Sequence, residues 1–263
     1  LEIPMIALSQ EPGITDAGPF EFRHFLTPEA QTEGLVSYVM AEAGYDRFAV
    51  FYPDDRYGHR FREAFLQAVD AQGGQVTVQA AYAPGQADFS SLIRPLIRGY
   101  QKLDLHRNFV DLAPGESRDR HRIYRAKVNF DAVFIPDGPE TGAQISQQLR
   151  FHDIRDVILL GTNIWKRKAL DGAGNALLPV VFPVDFDPDS PEETVQTFVA
   201  DYEDAFGETP DYFSAVGFET ALQVMEHLSN PRVTSRTRLM QTFNFRDTIL
   251  NFFVTSEIIG QKR

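Results

Sequence analysis

The sequence predicts an α/β protein in which parallel sheets are flanked by helices. Short apolar runs alternate with amphipathic segments of helical period along most of the chain. The apolar runs are too short to be helices, and several are apolar at every position, as expected for strands that are buried on both faces. Turn residues separate the two kinds of segment. This alternation is typical of repeated β-α units.

Six apolar segments are predicted to be strands. They are Ile3–Leu8, Phe48–Tyr52, Val76–Tyr82, Ala132–Ile135, Val157–Leu160 and Val180–Val184. We expect the first five to be parallel and buried, with the first strand in one sheet and the other four in another. A further strand is predicted near the end of the sequence, at Leu250–Ile259.

Five amphipathic segments are predicted to be helices. They are Tyr57–Ala71, a segment that begins at Phe89, Glu140–Phe151, Pro191–Phe206 and Tyr212–Leu228. Two consecutive glycines follow the first of these segments and end it. An aspartate precedes the second and can cap it, and the fourth begins with a proline and two glutamates, which suit the first turn of a helix.

Composition excludes several classes of function. The chain has 263 residues, with 37 acidic and 25 basic side chains, so its formal net charge is −12. An acidic surface repels phosphate backbones, and we therefore expect no nucleic-acid partner. The sequence contains no cysteine, which excludes disulfides, thiolate metal sites and cysteine nucleophiles within it. No apolar run approaches the roughly 18 residues of a membrane span.

No recognised catalytic or metal-binding motif is present. The sequence lacks a phosphate-binding glycine loop, a zinc-protease helix and a nucleophile elbow. Asp185, Asp187 and Asp189 alternate as at the start of a calcium loop, but Ser190 and Gln196 stand where that loop needs glycine and glutamate. We therefore predict no catalytic residue, no metal site and no cofactor, and we expect a binding protein rather than an enzyme.

One segment, Leu103–Lys127, lacks a clear period. It is rich in basic residues, namely Arg107, Arg118, Arg120, Arg122, Arg125 and Lys127. One interpretation is a solvated insertion between a helix and a strand. The other is a basic patch that docks an acidic partner. On the first interpretation, we expect the segment to be exposed and less ordered than its flanks.

Polar and aromatic side chains follow the carboxyl ends of several predicted strands. In open parallel sheets, ligands bind outside those ends. The candidate ligand-binding residues are Ser9, Gln10, Tyr57, Asp137, Gly138, Asn163 and Trp165. Their hydroxyl, amide, carboxylate and aromatic groups suit a small polar ligand beneath an aromatic lid. Each residue also has a structural alternative: Asn163 as a helix cap, for example, or Trp165 as part of the core.

The order of several short motifs points to a known family. Tyr52-Pro-Asp-Asp-Arg-Tyr57-Gly58 precedes a helix, and Gly73-Gly74, Tyr82-Ala-Pro-Gly85 and Asp88-Phe89-Ser90 follow it. Further along, Phe130–Asp137 contains the next strand, and Phe198–Pro210 contains a helix and its terminal turn. In this order the motifs resemble the type I periplasmic binding proteins of the leucine/isoleucine/valine-binding class.

This resemblance implies a bilobed fold whose amino-terminal lobe is incomplete. Residues 1–26 and 185–263 would form part of that lobe, and residues 27–184 the carboxy-terminal lobe, with the insertion at 103–127. The implied function is that of an extracytoplasmic solute-binding protein of an ABC-type uptake system, which holds a small, amino-acid-like ligand between two lobes and delivers it to a membrane permease. The implied location is the periplasm, with a lipoprotein anchor on an amino-terminal segment missing from this sequence.

The resemblance also assigns roles to the candidate residues. Ser9 and Gln10 match the loop that binds the ligand carboxylate, and Gln10 stands where the family usually has threonine. Tyr57 matches the tyrosine of the family's Tyr-Gly turn. Asn163 stands where an acidic residue usually pairs with the ligand ammonium, and a neutral amide cannot supply that charge. Asp137 would have to take its place.

A second resemblance leaves another function open. Five segments are similar to bacterial penicillin-binding-protein activators, namely Phe22-Arg23, Tyr52-Pro53, Phe130–Phe134, Gln148–Phe151 and Leu159–Trp165. Those proteins are outer-membrane lipoproteins with the same bilobed fold in their carboxy-terminal part. The alternative function is therefore regulation of a peptidoglycan synthase, with a penicillin-binding protein as the partner.

Overall fold

The structure is a computed structural model. It describes residues 5–10, 13–14, 21–119, 121–165, 178–229 and 254–255. The chain forms two compact units. The first unit comprises Leu1–Thr27 and Val184–Phe253, and the second comprises Pro28–Pro183 and Val254–Arg263.

The described residues contain strands and helices of mostly short length. The strands are β1 (Met5–Ala7), β2 (Glu21–Arg23), β3 (Arg47–Pro53), β4 (Gln75–Tyr82), β5 (Gly99–Leu103), β6 (Phe109–Asp111), β7 (Tyr124–Lys127), β8 (Ala132–Phe134), β9 (Ile158–Leu160), β10 (Val180–Pro183) and β11 (Val254–Thr255). The α-helices are α1 (Pro28–Tyr38), α2 (Arg56–Ala71), α3 (Ser90–Ile93), α4 (Pro139–Phe151), α5 (Glu193–Phe206) and α6 (Tyr212–Ser229). A π-helical turn, Val39–Ala43, follows α1, and a 3₁₀ turn, Arg94–Leu96, follows α3.

The second unit is built on a six-stranded sheet with the order β11-β10-β9-β8-β3-β4. Strands β10, β9, β8, β3 and β4 are parallel, which confirms the prediction that the four central apolar segments share one parallel sheet. The prediction that all of them are buried is wrong for β4, which is mostly half-buried or exposed. This strand lies at the edge of the sheet. The predicted strand Leu250–Ile259 lies outside the described residues except for β11, which pairs antiparallel with β10.

Helix α2 covers the centre of this sheet and begins close to its predicted start. Its apolar residues recur at helical spacing, and Phe61, Phe65 and Val69 are at most 1% exposed. The Phe65 ring stacks on Phe134 of β8, with a centroid distance of 4.2 Å and an interplanar angle of 7°. The α2–sheet interface is therefore the core of this unit.

The helix predicted from Phe89 is shorter than expected. Helix α3 ends at Ile93 and gives way to the 3₁₀ turn. Pro95 explains this difference, because proline has no amide hydrogen for an α-helical bond and its ring restricts the residue before it.

Segment Leu103–Lys127 is more regular than expected. Strands β5, β6 and β7 form an antiparallel sheet with the order β6-β5-β7. The expected exposure is confirmed for Arg118, Arg122 and Arg125, whose side chains are 46%, 51% and 39% exposed. The sequence of this segment shows no strand pattern because β6 and β7 have only three and four residues, too few to establish an alternation of apolar and polar residues.

The first unit joins a short parallel pair to helices α5 and α6. Strand β1 pairs with β2, so the prediction that the first apolar segment lies in a separate sheet is confirmed. Its predicted burial is wrong, since Met5 is 50% exposed and β1 has only one described strand beside it. The core of this unit contains Leu26 and three residues of α6, Tyr212, Ala215 and Val216.

A single tyrosine hydroxyl satisfies a buried backbone group in this core. The Leu26 amide donates to the Tyr212 hydroxyl oxygen at 3.1 Å. Burial raises the pKa of Tyr212 to about 12. The phenol therefore stays protonated in the folded state at pH values where an unfolded tyrosine, with a pKa near 10, has begun to ionise.

We expect Tyr212→Phe to lower the stability of this unit by about 1–3 kcal/mol at neutral pH, because the Leu26 amide loses its acceptor. In the wild type, the contribution of Tyr212 to stability should be constant below about pH 10 and fall between about pH 10 and 12, since the unfolded chain releases the phenolic proton first. The variant should lose this part of the pH dependence. Hydrogen exchange of α6 amides at several pH values measures both effects.

Tyr202→Phe is the matched control. The Tyr202 and Ser214 hydroxyls share a hydrogen bond at 3.0 Å, and the Ser214 hydroxyl can donate its single hydrogen to Asp211 at 2.8 Å, so Ser214 keeps a partner in the variant. Equal losses in the two variants would contradict a special role for the Tyr212 hydroxyl.

Candidate functional site

Polar side chains of the second unit gather at the carboxyl ends of neighbouring parallel strands. Because β3, β8 and β9 are adjacent in the sheet, the loops that follow them meet at one edge. The loop after β3 leads into Tyr57, the loop after β8 contains Asp137 and Gly138, and the loop after β9 contains Thr162 and Asn163.

Tyr57 lies in the first turn of α2, and its position has a local cause. The Asp55 carboxylate caps the helix by accepting from the Gly58 amide at 2.8 Å. A side chain at Gly58 would place its Cβ 2.1 Å from the Pro53 carbonyl oxygen, so only glycine fits beneath this turn. The Tyr-Gly pair of the sequence motif is thus required by the tight connection from β3 to α2.

The Tyr57 hydroxyl reaches the loop after β9. It lies 3.2 Å from the Thr162 hydroxyl, and the two groups share a hydrogen bond. Burial raises the pKa of Tyr57, so the side chain is a neutral hydroxyl at physiological pH. It can donate to a ligand oxygen or accept from a ligand N–H group.

Asp137 is held by hydrogen bonds to both of its carboxylate oxygens. The Tyr82 hydroxyl donates to Oδ2 at 2.8 Å, and the Gly138 amide donates to Oδ1 at 2.6 Å. Burial, and then the charge of Asp137, raises the pKa of Tyr82 and keeps that hydroxyl protonated. Each carboxylate oxygen can still accept a further hydrogen bond. The half-buried Asp137 is therefore a fixed anion at the edge of the sheet.

Trp165 does not form the expected aromatic lid. The side chain is 0% exposed and packs against Gly142 and Gly161, where an added Cβ would lie 2.3 Å from its ring atoms. Its indole Nε1 donates to the Asp137 carbonyl oxygen at 2.6 Å. The two glycines leave room for the ring inside the fold. Trp165 thus supports the Asp137 loop from the core of the unit. Trp165 is therefore part of the core, which was the structural alternative to a ligand contact.

Three further residues contribute to this site. Tyr82 ends β4 and reaches Asp137, Thr162 follows β9 directly, and the Gln31 side chain of α1 accepts from the Asn163 amide at 3.0 Å. Tyr82 and Thr162 also follow strand ends, so the rule that identified the other candidates could have included them. Gln31 carried no such signal, because the polar sequence of α1 gave no helical pattern.

Ser9 and Gln10 lie in the first unit, after β1. The Gln10 side-chain amide donates to the Leu26 carbonyl oxygen at 3.0 Å. Both residues are half-buried. Their assignment to a ligand site, like that of the other candidates, stays a prediction.

Other kinds of site find less support among the described residues. No three His, Asp or Glu side chains in this part of the chain are grouped so that they could hold a metal ion. None of the described helices has the length and apolar character needed to cross a membrane.

Comparison with known proteins identifies the family. The sequence profile of a family described as periplasmic binding protein matches residues 2–246. The chain therefore belongs to the periplasmic binding protein family, as the resemblance implied, and this membership implies an extracytoplasmic location. A search of the curated proteins finds no match.

Solved structures agree in fold. A protein assigned to a branched-chain amino acid ABC transporter of Rhodospirillum rubrum is 20% identical, with a TM-score of 0.69 over 91% of this chain and 61% of that one. An ABC transporter substrate-binding protein from Desulfitobacterium hafniense, in complex with Leu, is 22% identical, with a TM-score of 0.58 and the same coverage. A solute-binding protein of an ABC transporter from R. palustris, in complex with benzoate, is 16% identical, with a TM-score of 0.54 over 91% of this chain and 59% of that one.

These likenesses establish the fold only, because the sequence identities are low. The chain spans about three fifths of the length of the structures it matches. The parallel α/β architecture with an incomplete amino-terminal lobe, predicted from the sequence, is confirmed.

Proposed function

We propose that this chain is the greater part of a solute-binding protein that serves an ABC-type uptake system and takes a small, amino-acid-like ligand. The observation that carries the proposal is the cluster of Tyr57, Asp137 and Thr162 at the carboxyl ends of adjacent parallel strands, within a chain of the periplasmic binding protein family. Two of the similar structures hold a small carboxylic acid, either Leu or benzoate.

The charge of the site favours a ligand with an ammonium group. Asp137 is an anion fixed by two hydrogen bonds and has capacity for more. Tyr57 and Thr162 add neutral hydroxyl groups that can bind the polar parts of the same ligand. Asn163, which lies beside them in the loop after β9, adds no charge. In this proposal Asp137 pairs with the ligand ammonium.

Calorimetry with L-leucine and benzoate tests this proposal on the intact protein. Asp137→Asn should weaken leucine binding by about 1.5–3 kcal/mol, the value of a hydrogen bond to a charged group, and leave benzoate binding unchanged, because benzoate has no ammonium. Asn163→Asp is the matched control, since it adds a carboxylate in the neighbouring loop. It should leave leucine affinity unchanged or improve it.

Two results would contradict the proposal at different levels. Equal leucine affinity in wild type and Asp137→Asn would remove Asp137 from the site. Failure of the wild type to bind any amino acid or small carboxylic acid would oppose the transport function itself. Capture of a penicillin-binding protein by a chain that binds no solute would favour the regulatory alternative.

A further inference from the structure

The second unit has a cavity that is formed by elements other than the strand ends described above. It has a volume of about 810 Å³ and is lined by the 3₁₀ turn, strands β5 and β7, the loop between β6 and β7, and the end of α4. The lining residues are Arg94, Ile97, Tyr100, Arg118, Asp119, Arg122, Tyr124, Phe151, His152 and Asp153. This volume lies within the range of roughly 300–1,000 Å³ found for small-molecule sites.

Aromatic rings form much of the wall. Tyr100, Tyr124 and Phe151 come from three different elements. Phe151 is 76% exposed although it is large and apolar, so its ring is available for contact. The Arg118 guanidinium lies 4.6 Å from the Tyr100 ring centroid and donates to Asp153 at 2.5 Å, which fixes one side of the cavity.

The cavity also contains cations that are not fully neutralised. Arg94 makes no ion pair with another described residue. Arg122 lies 3.8 Å from Asp119, and both side chains are about half exposed, so this pair is weak and can exchange its partner. Segment 94–127 as a whole has nine Lys and Arg residues against four Asp and Glu residues, in a chain whose net charge is −12.

His152 adds polarity to the cavity without charge. The residue is 7% exposed. Burial, and then the charges of Arg94 and Arg118, lowers the pKa of its ring, while Asp153 and Asp88 act in the opposite direction. The ring is therefore neutral at pH 7. Arg118 is held by Asp153, so Arg94 and Arg122 are the lining arginines whose charges are most available to a ligand.

We propose that this cavity binds a small aromatic anion. The ring of the ligand packs against Phe151 and Tyr124, and its carboxylate or sulfonate is held by Arg94 and Arg122. The combination of aromatic walls and exchangeable arginines recognises both parts of such a molecule, whereas a neutral aromatic compound would leave the cations unused. The site is separate from the proposed solute site and does not depend on it.

Anilinonaphthalene sulfonate is a direct probe, because it joins an aromatic ring system to a sulfonate. Its affinity for the intact protein should fall about tenfold or more in the double variant Arg94→Gln/Arg122→Gln, which removes two charge-assisted contacts. Phe151→Ala should also weaken binding. Arg107→Gln is the control, since Arg107 belongs to the same basic insertion but does not line the cavity. All variants should retain the wild-type melting temperature.

Competition identifies the class of ligand. Naphthoate should displace the probe, and naphthamide, which has the same ring system without the charge, should not. Saturating L-leucine should leave probe affinity unchanged, which separates this site from the proposed solute site.

Three results would overturn the proposal. The first is equal probe affinity in the double variant and Arg107→Gln. The second is equal displacement by naphthoate and naphthamide. The third is displacement by polyglutamate but not by naphthoate, which would assign the surface to an acidic polypeptide instead.

Discussion

Replacement of Trp165 by alanine should lower the free energy of unfolding of the second unit by about 3–5 kcal/mol. The indole is 0% exposed, and its walls are two glycines whose backbones cannot fill the space that the ring leaves. The variant also loses the hydrogen bond from the indole to the Asp137 carbonyl oxygen. Urea unfolding followed by far-ultraviolet circular dichroism measures the loss, because this signal does not depend on tryptophan.

Two control variants show how much of the loss comes from the buried packing of the Trp165 ring. Trp165→Phe keeps most of the apolar volume and should cost less than the alanine variant. Phe151→Ala removes a ring that is 76% exposed and should change the unfolding free energy by about 0.5 kcal/mol or less. If Trp165→Ala costs no more than Phe151→Ala, the packing of the indole does not stabilise this unit.

Phe65→Ala should cost a similar amount, about 3–5 kcal/mol, for a different reason. Phe65 joins α2 to the sheet: it stacks on Phe134 and meets the edge of Phe48 at a centroid distance of 5.5 Å. Its loss would leave a cavity between the helix and the two central strands. The emission of Trp165, which lies in the same unit, reports this unfolding transition.

Glu63→Ala is the matched control for Phe65→Ala, since Glu63 lies on the exposed face of the same helix. Alanine is a strong helix former, so this change should have little effect or be slightly stabilising. A loss in Glu63→Ala as large as that in Phe65→Ala would show that α2 is sensitive to helix propensity and not to packing on the sheet.

The sequence predicted best where burial dictates the residue type at every position. Strand β8 and the Phe48–Phe51 part of β3 are continuously apolar because helices or neighbouring strands cover them, and α2 has a clear apolar stripe because one face meets the sheet. The position of Tyr57 and Asp137 beyond strand ends follows from the parallel order alone. The general rule that parallel strands end at the same edge of a sheet was therefore sufficient to predict that these two residues lie at one edge.

The failures have equally specific causes. Pro95 shortened a helix whose apolar spacing continued past it. Trp165 follows a strand end like the other candidates, but its direction depends on the absence of side chains at Gly161 and at Gly142, and Gly142 lies on another element, α4. Helix α1 has polar residues facing the interior, such as Gln31 at 2% and Thr32 at 1% exposure, so its period was hidden. The effect of Pro95 is local, whereas the outcomes for Trp165 and α1 depend on three-dimensional contacts.

The antiparallel sheet of β5, β6 and β7 begins and ends at neighbouring points of the second unit. Gly99 is paired with Lys127, and the Arg98 amide donates to the Lys127 carbonyl oxygen at 2.7 Å. The intervening residues thus form a closed detour from the parallel sheet, and their contacts with the rest of the unit include those of Arg118 and Ala126 with Asp153, just after α4. Because the entropy of closing a loop grows only with the logarithm of its length, such a detour can be lengthened, shortened or exchanged at little thermodynamic cost. In evolutionary terms, this unit has a position at which new surface can be added while the parallel sheet and the polar side chains beyond its strand ends stay unchanged.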